Sequence, residues 1–68
     1  MTVTVNEILK IKAGRVKSFE CDSPRQAKSG QSSVSYVKKF CRDLMPIDVI
    51  DYKTTLKGNV LTILAVKG

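Results

Sequence analysis

The sequence predicts an α+β fold: a two-layer sandwich in which one main helix covers a small, mostly antiparallel sheet. Three observations carry this. Val34, Val37, Phe40, Cys41 and Leu44 recur at spacings of three and four, the mark of an amphipathic helix. Residues 47–56 and 59–66 are two alternating β-rich runs joined at Lys57-Gly58, the pattern of a hairpin. A further short β-rich run, RVKSFEC, precedes the helix. At 68 residues the chain is expected to form one domain with a thin core.

The first element reads two ways. With a period of two, Val3, Val5, Leu9 and Ile11 share a face broken by Glu7. Thr2, Thr4, Asn6, Lys10 and Lys12 share the other with Ile8, and residues 2–12 become a half-buried strand. Read with a helical period, Thr4-Val5-Asn6-Glu7 is a capping box, Val5, Ile8 and Leu9 form a stripe, and Gly14 ends it. The strand template fits more residues and suits Thr and Val, so the expected order is ββαββ, with αβαββ as the other.

Ala13-Gly14 marks a turn, and residues 15–21 form the next strand. If these two strands pair as a hairpin, Lys10, Lys12, Arg15 and Lys17 converge. Like charges facing each other on a sheet are unfavourable, so either an anion sits there or the pairing differs.

The stretch CDSPRQAKSGQSS, residues 21–33, reads as a polar connection ending in an N-cap at Ser32 or Ser33. The main helix then runs from Ser33 to Leu44, and Pro46 closes it. Val34, Val37, Cys41 and Leu44 are expected to face the sheet and Phe40 to lie in the core, with Ser35, Lys38, Lys39 and Arg42 opposite. In the last strand Val60, Leu64 and Val66 line one face and Leu61, Ile63 and Ala65 the other. An element apolar on both faces is expected at the centre of a sheet, and a face left without a helix is a candidate homodimer surface.

The residue inventory narrows the chemistry. There is no histidine, which excludes a Cys-His arrangement. Two cysteines alone do not make a structural zinc site, and Cys21 and Cys41 are expected as reduced thiols packed as small hydrophobes. Asp48 and Asp51 lie three apart on a strand and point to opposite faces, a poor carboxylate pair. A single Gly30 without a Gly-Lys-Ser/Thr signature does not build a phosphate loop, and the spacing of Ala27, Gly30 and Val34 does not fit a helix-turn-helix. No enzyme and no cofactor is expected. No apolar run reaches the ~18 residues of a membrane span and the first residues do not read as a signal peptide, so the expected location is the cytoplasm, away from membranes.

The charge points to a polyanion. Twelve Lys and Arg against six Asp and Glu give a net charge of +6. A basic surface of this kind engages nucleic acid or an acidic protein. The candidate contacts are a first patch, Lys10, Lys12, Arg15 and Lys17; Arg25 and Lys28 in the polar connection; and a second patch, Lys38, Lys39 and Arg42, on the helix. The other readings are a small regulator or inhibitor of the phage or mobile-element kind, gripping one protein partner through the open sheet face, and a sulfur or redox relay through Cys21.

KAGRVKSFECDSP, SVSYVKKFC and IDVIDYKTTLKGNVLTILAVKG follow one another in an order that resembles TusA/SirA-like sulfur-carrier domains over residues 12–68, apart from a few extra residues in 21–33. The resemblance implies a two-layer α/β fold of order αβαββ. The Cys-Pro-x-Pro signature that carries the family's sulfur is absent, so the active site does not carry over. Cys41 matches the family's second, non-signature cysteine and lies on the helix stripe.

Overall fold

The computed structural model describes residues 3–68, so Thr2 of the expected first strand lies outside the described residues. The chain forms helix α1 (Val5–Leu9), strand β1 (Val16–Glu20), helix α2 (Pro24–Phe40), a 3-10 turn (Arg42–Leu44), and strands β2 (Val49–Lys57) and β3 (Val60–Lys67). Three antiparallel strands in the order β1-β3-β2 make one layer and the helices the other. The α+β sandwich with one main helix is as expected, but its order is αβαββ, the second of the two readings.

The first element is a helix because its cap and its burial agree. Thr4 Oγ1 accepts the Glu7 N–H at 3.3 Å, satisfying one of the amides that a helix start leaves unpaired. Five residues are too few for a helix to persist alone. Tertiary burial holds it: Val3, Ile8 and Ile11 are all in the core, and Ile8 is the residue that strict alternation puts on the polar face. Gly14, at φ +78°, turns the chain back, and its N–H donates to the Ala65 carbonyl at 2.8 Å. The turn therefore hooks onto the end of β3. The expected hairpin of residues 2–12 with 15–21 does not form, and β1 pairs with β3.

The polar stretch 21–33 is a second correction, since most of it is helix. Ser23 is the N-cap of α2, its Oγ accepting the Gln26 N–H at 3.3 Å, and Gln26 Oε1 in turn accepts the Asp22 N–H at 3.1 Å. Pro24 occupies the first helical turn, where its missing N–H costs nothing. The cap therefore sits about ten residues earlier than Ser32 or Ser33, and α2 ends at Phe40. Chain beyond it turns off the helical stripe. Leu44 is 66% exposed and Phe40 69% exposed, against the expectation that both are core. Val34 and Val37 face the sheet as expected, and Cys41 packs partly against the core.

The β2–β3 hairpin forms where expected. Gly58 takes φ +58° at the first position of a two-residue loop, as a primed hairpin turn requires. Asn59 then binds the end of β1 through Nδ2 to the Cys21 carbonyl at 2.7 Å, while the Cys21 N–H donates to the Asn59 carbonyl at 2.8 Å. Central β3 presents Leu61, Ile63 and Ala65 to the helices, flanked by Phe19 and Tyr52.

Gly30 is where α2 comes closest to the sheet. A Cβ there would lie 2.6 Å from Leu61 Cδ2 and 3.1 Å from Val3 Cβ. Gly30→Ala, which stabilises an exposed helix by ~1 kcal/mol, is expected here to cost about 1–3 kcal/mol, because Leu61 is fully buried and has little room to yield. A lowered thermal midpoint checks this.

Tyr52 is 2% exposed, and among the described residues its hydroxyl oxygen has no hydrogen-bond partner. Burial raises its phenol above the ordinary 10.0. The folded state thus favours the neutral form, and the stability tied to it is complete below pH 10 and lost as pH rises through the folded value. Tyr52→Phe is expected to gain about 1 kcal/mol at neutral pH and to lessen the loss of stability in alkali, measured by denaturant unfolding at both pH values.

Candidate nucleic-acid interface

The nine sequence-selected cations do not share one surface. At about 3.6 residues per turn, the side of α2 opposite the buried Ala27, Gly30, Val34 and Val37 carries Arg25, Lys28 and Lys39, interleaved with Ser29, Ser32 and Tyr36. All six are exposed. No Asp or Glu occurs in the 17 residues of α2. Arg25 and Lys28, expected on a loop separate from Lys39, share this one helical face.

Aromatic residues border the same face. Tyr36 and Phe40, 52% and 69% exposed, contact each other with ring centroids 5.1 Å apart, and Lys39 Nζ stands 6.0 Å from the Phe40 ring. The pair stands at spacing i, i+4, where helical side chains meet. Sequence reasoning misses it because Phe40 matches the apolar stripe.

Lys38 and Arg42 lie off this face. Lys38 points back to the sheet edge, where its Nζ lies 3.2 Å from Asp51 Oδ1 and donates to the Tyr52 carbonyl at 3.4 Å. Asp51 Oδ1 also accepts the Tyr52 N–H at 2.8 Å. These bonds, the backbone one foremost, hold the Asp51 carboxyl below its ordinary 3.8. Arg42 sits in the 3-10 turn and, with Lys38, Met45, Ile50 and Asp51, lines a groove of about 410 Å³.

The first patch is dispersed. Lys10 ends α1, Lys12 and Arg15 stand in the following turn, and Lys17 lies on β1 with its Nζ 5.7 Å from the Phe19 ring. Charge crowding is avoided because β1 faces the uncharged Val60–Leu64 segment of β3. Lys12 instead meets Lys67 across a second groove of about 470 Å³, shared with Pro46, Ile47 and Asp48.

The thiols are placed differently from one another. Cys21 is 3% exposed, with Sγ 3.9 Å from the Phe19 carbonyl oxygen; Cys41 is half-buried, and both are free. A relay thiol must be reached by its partner, and the burial of Cys21 weighs against that role. Among the described residues, no group of three or more His, Cys, Asp or Glu side chains is placed to hold a metal ion, and no helix is long and apolar enough to cross a membrane. Comparison with protein-family models, curated proteins and solved structures finds no match to this chain.

Asp51 is expected to titrate below 3.8 when followed by carboxyl NMR shifts. Its favourable contribution is present above that ordinary value and is lost as pH falls through the lower folded one. In Lys38→Met the midpoint should move up only part of the way, because the larger cause, the Tyr52 N–H, remains.

Proposed function

We propose that this chain is a small non-catalytic binding module that grips nucleic-acid phosphates with the outer face of α2. The observation that supports this most is the composition of that face: Arg25, Lys28 and Lys39 with Ser29, Ser32 and Tyr36, on a helix free of acidic side chains. Lys and Arg neutralise phosphates and release their counterions, while Ser and Tyr hydroxyls donate to phosphate oxygens. The residues from Arg25 to Lys39 span roughly 21 Å at about 1.5 Å per residue, enough to follow several successive phosphates. Small serines at the centre of the stripe let the helix axis approach a groove closely.

Such a face positions the protein on a backbone; it carries one guanidinium, that of Arg25, and no Asn or Gln that would read adenine. The Tyr36–Phe40 pair offers a stacking edge, but its rings already pack on each other. The expected behaviour is therefore broad affinity with weak sequence preference. An acidic protein surface would be drawn by the same charges, and a direct measurement of affinity for nucleic acid separates the two partners.

The test is fluorescence anisotropy on a DNA duplex across a salt series. Neutralising Arg25, Lys28 and Lys39 to Gln should weaken binding and flatten the log–log salt slope by about 0.9 for each phosphate no longer neutralised, about 2.7 for three. Lys12→Gln with Lys67→Gln, at the other groove, should leave the slope nearly unchanged. No affinity for DNA or RNA at low salt, or affinity indifferent to the α2 triple variant, would overturn the proposal and leave an acidic protein as the partner to seek.

A further inference from the structure

The face of the sheet turned away from the helices is open, although it belongs to the central strand. Val60, Thr62, Leu64 and Val66 of β3 are only half-buried there, and Val16 beside them on β1 is 58% exposed. Val60, Leu64, Val66 and Val16 make an apolar strip, with the Ser18–Thr62 hydroxyl pair, 3.0 Å apart, satisfied within it. The edges differ in charge. The register sets Glu20 of β1 on one side of Val60 and Lys57 of β2 on the other, and Lys53 flanks Leu64.

We infer that this face packs against the same face of a second copy, about a two-fold axis parallel to β3. Such an axis, lying between two stacked sheets, lays β1 of each copy over β2 of the other and preserves the level along the strands. Glu20 of each copy then stands beside Lys57 of the other, twice per dimer, and the Val60–Val66 strips meet on the axis. The in-plane axis perpendicular to the strands lays β2 over β2 with its direction reversed, and crowds Lys53 of each copy against Lys57 of the other. Charge thus selects one isologous arrangement.

The size of the face sets the strength. Strands of five, nine and eight residues at roughly 3.3 Å each, about 4.8 Å apart, give a face of about 350 Å² per copy, about 700 Å² for the pair. That is below the ~1,000 Å² of a stable specific interface, so the dimer is weak and transient and forms only as concentration rises. The inference does not depend on the nucleic-acid reading, because α2 lies on the opposite layer and the measurement is made on the protein alone.

Sedimentation velocity over a concentration series tests it with Glu20→Lys and Lys57→Glu. Both side chains are exposed, and circular dichroism confirms that each variant is folded. Each variant alone sets like charges together at both contacts and should raise the dimer dissociation constant about tenfold. Lys57→Glu is the stricter case: it lowers the net charge of the chain, which by itself would favour association. In a mixture, one variant carries lysine at both positions and the other glutamate at both. Each contact of the mixed dimer then joins opposite charges, and wild-type dimerisation should be restored. The chain carrying both substitutions should do the same with itself. A wild-type chain that stays monomeric throughout, or a dimer indifferent to both single substitutions, or a mixture no better than its components, would overturn the inference.

Discussion

The close approach of α2 to β3 at Gly30 governs how the two layers fit. With no Cβ at Gly30, Leu61 and Val3 come in from two sides. Leu61 is the inward residue of the central strand at that level, and Val3 brings the N-terminal segment alongside α2. One missing methyl group thereby joins helix, sheet and first segment into a shared core. It also explains why α2 survives a composition poor for helices. Four serines and a glycine would weaken an isolated helix of 17 residues, and Ser33 even bonds back to the Ser29 carbonyl at 3.4 Å. Burial of Ala27, Val34 and Val37 offsets this.

Because the inner side of α2 is held so tightly, its outer side is free of structural duty. Small and charged residues there contribute little to packing, so Arg25, Lys28 and Lys39 can stand together without disturbing the fold. Lys38 differs because it lies at the flank, over the edge of β2. There it shares Asp51 with the Tyr52 N–H and helps to close an exposed strand edge. Two lysines adjacent in sequence thus serve different ends, one toward solvent and one toward the sheet.

The two layers have opposite surface characters. The helix layer presents cations and hydroxyls, while the sheet layer presents an apolar strip bordered by Glu20 and Lys57. In a pair joined through the sheets, four layers would stack with the two α2 helices outermost, each basic face turned away from the other. Such a particle would carry a basic face on each side.

The α+β class, the β2–β3 hairpin with Gly58 in its turn, the central place of β3 and the approximate extent of β1 are all legible along the chain. They follow from alternation and turn chemistry, which act over a few residues. Residues 3–12 are not decided locally, since alternation favours a strand and the Thr4 cap a helix; the burial of Ile8 settles the matter, and burial needs the other layer. The start of α2 is written in Ser23-Pro24-Arg25-Gln26, a cap followed by a first-turn proline, but the polar serines around Gly30 read as a loop. Packing in three dimensions makes Gly30 an inward helical position pressed against Leu61. The grouping of cations is likewise a tertiary outcome. Pairing β1 with β3 disperses Lys10, Lys12, Arg15 and Lys17, and the longer helix gathers Arg25 and Lys28 with Lys39. Charge is countable along a chain, whereas its arrangement depends on which strand pairs with which and where a helix begins.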